Sequence, residues 1–241
     1  KMASCPLASC TSLHRPCTDK MDSGMTAPLF NRRHFTACLL ALPGAGFVRT
    51  SAAAGRSAKL LVLGDSLSAE YGLPRGSGWV ALLQKQLDQS HPGSTLVNAS
   101  ISGETTSGGR TRLPVLLRQH QPSHVLIELG GNDALRGLSL AMTRENLQFM
   151  AQAARETGAK VLLLGMQMPP NYGTELTRQF AALYPQVAKA TGAALVPFFL
   201  KGVGDDADPT RWFQADRIHP NEAAQPRLLA NVWPSLQKQL P

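Results

Sequence analysis

Residues 55–241 contain no cysteine; all four, Cys5, Cys10, Cys17 and Cys38, lie in the first 38 positions. That long segment can hold no disulfide, no thiolate nucleophile and no cysteine-ligated metal. Cys5, Cys10, His14 and Cys17 have the residue types of a zinc cluster, but the Ser/Thr/Pro-rich sequence around them offers no strand or helix to hold one. There is also no HExxH and no body His/Cys cluster, so no metal is expected and none is needed. No G-x-G-x-x-G follows the first apolar run and no P-loop lysine motif occurs, which argues against a nucleotide cofactor. No G-x-S-x-G occurs, which excludes the nucleophile elbow of α/β-hydrolases.

Strong charge is scarce too. The net charge is +8, and half of it sits in residues 1–54, which hold six Lys/Arg against two Asp/Glu. The body is only mildly basic and has no Lys/Arg block or basic stripe with interleaved aromatics, so nucleic acid is not an expected partner. Long apolar runs are missing as well. The best stretch, Phe35 to Val48, has about 14 residues against the roughly 20 of a spanning helix, so no permanent membrane anchor is expected.

That stretch does fit a leader. Arg32 and Arg33 precede it, and Ala52-Ala53-Ala54 follow, giving the charged, apolar and small-residue regions of a secretory signal. Asn31-Arg32-Arg33-His34-Phe35 resembles a twin-arginine signal. The expected organisation is an upstream extension over 1–24, disordered or foreign to the native chain, a signal peptide over 25–54, and one catalytic domain over 55–241. The mature protein is expected to start near Gly55 and to be exported, periplasmic or secreted, as a monomer.

What is present in the body is alternation. Leu60–Leu63, Leu96–Ile101, Val125–Leu129, Val161–Leu164 and Ala194–Phe199 are short apolar runs of the kind found in buried parallel strands. Between and after them, Trp79–Leu87, Thr111–Gln119, Arg144–Glu156, Glu175–Ala190 and Glu222–Leu240 read as helices, the last perturbed by Pro226 and Pro234. Strand–helix alternation predicts a three-layer α/β fold with a mostly parallel sheet, and ligands bind beyond the carboxyl ends of such strands.

Polar residues gather at those ends. The first run stops at Gly64-Asp65-Ser66, the second leads to Ser102-Gly103-Glu104, the third to Gly130-Gly131-Asn132-Asp133, and Asp216-Arg217-Ile218-His219 comes late. Acyl transfer needs that set. A serine needs a base, the histidine needs a carboxylate to fix its tautomer, and the tetrahedral oxyanion needs donors in place. Ser66 and Gly103 can offer backbone N–H groups and Asn132 a side-chain N–H. Each residue alone has a blander reading: Ser66 as an N-cap, Gly103 as a positive-φ turn, Asn132 as a turn residue, Asp133 as a helix cap. Their joint placement at successive strand ends is what carries weight.

With Gly64-Asp65-Ser66-Leu67-Ser68, Gly103, Gly130-Gly131-Asn132-Asp133 and Asp216-x-x-His219 in hand, the chain resembles an SGNH hydrolase of the GDSL family. The likeness spans nearly all of 59–235 and is nearest to the multifunctional acyl hydrolases that act as thioesterase, arylesterase and lysophospholipase. It implies a flavodoxin-like sheet of five parallel strands. It implies Ser66 as nucleophile, His219 as base, Asp216 as its orienter, and Ser66, Gly103 and Asn132 as the oxyanion hole. Met168, Pro169 and Tyr172 would line an acyl groove, although core packing is an equal reading for Met168. The expected activity is a cofactor-free serine esterase acting on small-molecule esters, thioesters or lipids. The alternatives are a carbohydrate O-acetylesterase on the same scaffold and a binding module without catalysis. Two departures stand out: Glu70 where the family usually has glycine, and Gly103-Glu104-Thr105 where it usually has Gly-Asp-Thr.

Overall fold

Leu60, Leu61, Val62 and Leu63 are all at most 2% exposed, as a strand covered on both faces must be. They lie in β1 (Lys59–Gly64) of a computed structural model that describes residues 57–241. The upstream extension, the signal peptide and the four cysteines lie outside the described residues. The other strands are β2 (Thr95–Asn98), β3 (His124–Glu128), β4 (Lys160–Leu164) and β5 (Ala194–Val196). All pairings are parallel, in the order β2-β1-β3-β4-β5. This is the flavodoxin-like order that the resemblance implied.

The helices are α1 (Trp79–Ser90), α2 (Thr106–His120), α3 (Gly131–Leu135), α4 (Leu140–Glu156), α5 (Thr174–Thr191) and α6 (Gln225–Gln237). α1 packs against α6, while α4 packs against both α2 and α5, so the sheet is covered on both sides. The chain leaves β1 toward β2 on one side and later enters β3 on the other. That reversal opens a crevice at the carboxyl ends of β1 and β3, where open α/β sheets bind ligands.

Several boundaries differ from the sequence expectation. β2 ends at Asn98 rather than Ile101, because Asn98 turns its amide to the Ser68 carbonyl (2.7 Å) and the chain leaves the sheet. β5 ends at Val196, where Pro197 brings no N–H to extend the ladder. α2 begins at Thr106, five residues earlier than Thr111. Its cap is Thr105, whose hydroxyl accepts the Gly108 N–H. The expected last helix splits into a 3₁₀ turn at Glu222–Ala224 and α6, which carries Pro226 in its first turn, where a missing N–H costs nothing. The short α3 was not foreseen.

Candidate active site

The Gly64–Glu128 register puts the ends of β1 and β3 side by side. Asp65 and Ser66 follow one strand; Leu129, Gly130 and α3 follow the other. Gly130 has φ 118°, and a Cβ there would lie 2.5 Å from the Tyr184 hydroxyl, so glycine is required on both counts. The turn releases Asn132 toward β1. Its Nδ2 donates to Asp65 Oδ2 (3.1 Å) and to the Glu104 carbonyl (3.0 Å). Those two bonds tie Asn132 to the neighbours of Ser66 and of Gly103. Gly103 itself has φ 78°, and its carbonyl accepts from Arg136 Nη2 at 2.9 Å.

His219 arrives from the loop before α6. Its Nε2 lies 2.9 Å from Ser66 Oγ and its Nδ1 2.6 Å from Asp216 Oδ2. Asp216 Oδ1 accepts the backbone N–H groups of His219 (3.0 Å) and Ile218 (2.9 Å). The His219 N–H leads the causes that hold the Asp216 carboxyl down, at about 2, and the ring's own bond adds to it. An ionised carboxylate only accepts, so Nδ1 carries the ring proton and Nε2 is free to accept from the Ser66 hydroxyl. Tyr71 stacks obliquely on the imidazole, centroids 4.3 Å apart at 38°. Ser66 is thus not the N-cap of α1; that position is Gly78.

Asp133 points away from this cluster. It is buried and accepts the N–H and hydroxyl of Thr106 at 2.9 and 2.5 Å, so it anchors the start of α2 instead of capping the next helix. Met168 is 6% exposed among core side chains, while Pro169 and Tyr172 are exposed on the loop after β4. Glu70 does not reach into the site. Its carboxylate accepts the N–H groups of Gly76 (3.0 Å) and Gly78 (2.9 Å) and stitches its own loop. Glu104 pairs with Arg112 at 3.0 Å.

Sequence reasoning gave no role to Tyr71 or to Glu128, the fully buried last residue of β3. Glu128 Oε2 accepts from Ser68 Oγ (2.8 Å) and the Asp65 N–H (3.3 Å), and burial pushes its carboxyl well above the usual range. The available signal was an acid closing an otherwise apolar strand.

The model of the GDSL-like Lipase/Acylhydrolase family matches residues 62–226. The chain belongs to this family and is a carboxylic ester hydrolase. Esterase TesA of Pseudomonas aeruginosa is 56% identical over 178 residues, 74% of this GDSL hydrolase and 87% of the relative. The arylesterase of Vibrio mimicus is 42% identical over 194 residues, 80% and 96% of the two chains. The thioesterase 1/protease 1/lysophospholipase L1 of Escherichia coli K12 is 45% identical over 167 residues, 69% and 77%. Among solved structures, TesA matches with TM-score 0.72 at 55% identity, covering 76% of this chain and 99% of its own. The esterase EstA of Pseudoalteromonas sp., inhibited by monoethylphosphonate, matches with TM-score 0.70 at 39% identity, over 76% and 98%.

Proposed function

We propose that this GDSL hydrolase cleaves carboxylic esters and thioesters of apolar acyl groups through an acyl-enzyme on Ser66. The observation that carries the reading is the continuous chain Asp216–His219–Ser66, with both bonds at hydrogen-bonding distance before substrate arrives. His219 Nε2 takes the Ser66 proton as Oγ attacks the carbonyl carbon. The imidazolium that forms is steadied by Asp216, and it returns the proton to the leaving group. Water then repeats the sequence and frees the acid. The oxyanion receives the N–H of Ser66, the N–H of Gly103 and the Asn132 amide, which lets go of the Glu104 carbonyl while keeping Asp65.

The carboxyl edge supports an apolar acyl group. Among the described residues ten large hydrophobics are exposed, and eight sit in loops after the strands, at the end of the short α3 or in the first turn of a following helix: Tyr71, Ile101, Leu135, Leu138, Met142, Tyr172, Leu176 and Ile218. Pro169 and Tyr172 supply the β4 part of this rim. An acetyl group on a polar glycan has no use for such a rim, and a binding module has no use for the proton relay. The relatives named arylesterase, thioesterase and lysophospholipase point the same way. We infer a monomer, exported by its leader, acting on small-molecule esters, thioesters or lysophospholipids. Among the described residues no helix is long and apolar enough to cross a membrane.

The test is hydrolysis of p-nitrophenyl esters from acetate to palmitate beside Ser66→Ala. The wild type should turn over with a maximum beyond acetate, and Ser66→Ala should lose at least about a thousandfold in kcat. Equal rates for the two proteins on every ester and thioester would end the reading.

A further inference from the structure

Two carboxyl groups meet beneath the nucleophile. Asp65 is 2% exposed and Glu128 is fully buried, on the adjoining ends of β1 and β3. The Asp65 N–H donates to Glu128 Oε2 at 3.3 Å, so the two side chains start from touching neighbours, and among the described residues no Lys or Arg forms an ion pair with either. Two bare carboxylates in such a place repel and stay unsolvated, so the pair holds a proton.

Hydrogen-bond partners decide which group holds it. Asp65 Oδ1 accepts the Leu67 N–H at 3.0 Å and Oδ2 accepts Asn132 Nδ2–H at 3.1 Å, so both its oxygens serve as acceptors. Glu128 Oε2 accepts from Ser68 and the Asp65 N–H, but Oε1 is buried without a partner. A carboxylate oxygen stranded there is costly; a neutral carboxyl gives the pair the donor that it lacks. The groups around it agree. Asp65 and Ser68 face Glu128 from the β1 side, the phenol of Tyr184 on α5 feels both acids, and His219 lies beyond Asp65. Burial raises Glu128 furthest, and the neighbouring Asp65 raises it again.

We propose that Glu128 is a positioning residue for ester hydrolysis: a neutral acid that donates to Asp65, keeps Asp65 an acceptor, and through it aims the Asn132 amide at the oxyanion. The proposal rests on the esterase reading above. It differs from simple core packing in three ways. The effect falls on kcat, because an oxyanion donor acts in the transition state. A neutral amide can replace the acid, since its oxygen accepts from Ser68 and Asp65 N–H while its NH₂ donates to the Asp65 carboxylate. And the effect runs through Asn132.

The experiment compares Glu128→Gln, Glu128→Leu, Asn132→Ala and the double variant Glu128→Leu/Asn132→Ala on one p-nitrophenyl ester, with folded protein counted by phosphonate titration of Ser66. Glu128→Gln should keep kcat within about threefold, and Glu128→Leu should lose about ten- to a hundredfold in kcat with KM nearly unchanged. In the Asn132→Ala background, Glu128→Leu should cost little more. If Leu does not fold, the unbranched Glu128→Met takes its place. Three results each overturn the proposal: Gln as damaging as Leu, Leu without effect on kcat, or an undiminished Leu effect without Asn132. One readout does not need turnover: the infrared band of a protonated carboxyl at neutral pH, removed by Glu128→Gln. Its presence in a protein that hydrolyses no ester would sink the esterase reading and leave the neutral acid standing; its absence would sink the neutral acid alone.

Discussion

Glu70 has φ 59°, in the left-handed region that favours glycine, and its half-buried carboxylate accepts two backbone N–H groups. The strain of such a residue is on the order of 1–2 kcal/mol, and each charge-assisted bond returns about the same or more. The expected stability order is therefore Glu70, then Glu70→Gly, which loses the bonds but also the strain, then Glu70→Ala, which keeps the strain alone. Urea unfolding of the three proteins checks it. Asp65 gives a second prediction at this scale. Its carboxyl rises from 3.8 to about 6, chiefly by burial, so between those values the folded state holds a proton that the unfolded chain has released. Stability should fall as pH climbs through that window, and the buried Glu128 carboxyl, held still further above its ordinary value, carries the fall on toward neutral pH. Asp65→Asn should flatten the slope. Asp216 acts with the opposite sign at lower pH: held at about 2, it adds stability above 3.8 that is lost as pH falls toward 2.

At the scale of elements, α2 is pinned by a polar knot rather than by its modest apolar face. Asp133 accepts from Thr106, Thr143 Oγ1 donates to Asp133 at 3.3 Å, and Asn146 Nδ2 donates to Thr106 Oγ1 at 3.1 Å, joining α2, α3 and α4. Thr106→Val should cost about 1–3 kcal/mol, because it strands buried groups on Asp133 and Asn146; thermal melts read this directly. The same knot shows where the sequence could and could not be read. The five strands were legible because buried parallel strands are continuous apolar runs, and the candidate site could be proposed because polar residues gather at the strand ends. α3 was not, since five residues show no helical period. Asp133 looked like a local cap, but its partners are 27 residues upstream and 10 downstream in the sequence. Glu128 was hidden for the same reason: pairing with Asp65 depends on strand register, which no local pattern displays.

At the scale of the whole molecule, the two edges of the sheet differ. Among the described residues, the carboxyl edge carries eight of ten exposed large hydrophobics, and the helix-to-strand loops at the amino edge carry none of them. Leu135→Ser and Leu138→Ser should therefore raise KM for octanoate more than for acetate in the ester series. Residues 57–241 also hold together without sulfur chemistry: the core is built from the leucines, valines and aromatic groups between the layers. The melting temperature should be the same with and without a thiol reductant, which calorimetry would check.

Asp216 and His219 stand three residues apart on one loop, and Asp216 binds two amides of that loop while holding the imidazole. The Asp216–His219 pair is thus a prefabricated cassette whose inner geometry is set by four consecutive residues. A single 2.9 Å bond couples it to Ser66, 153 residues away in the sequence. Anyone grafting this chemistry onto another scaffold would have one distance to fix rather than three. For the same reason, drift of the whole loop shifts one coupling and leaves the pair intact.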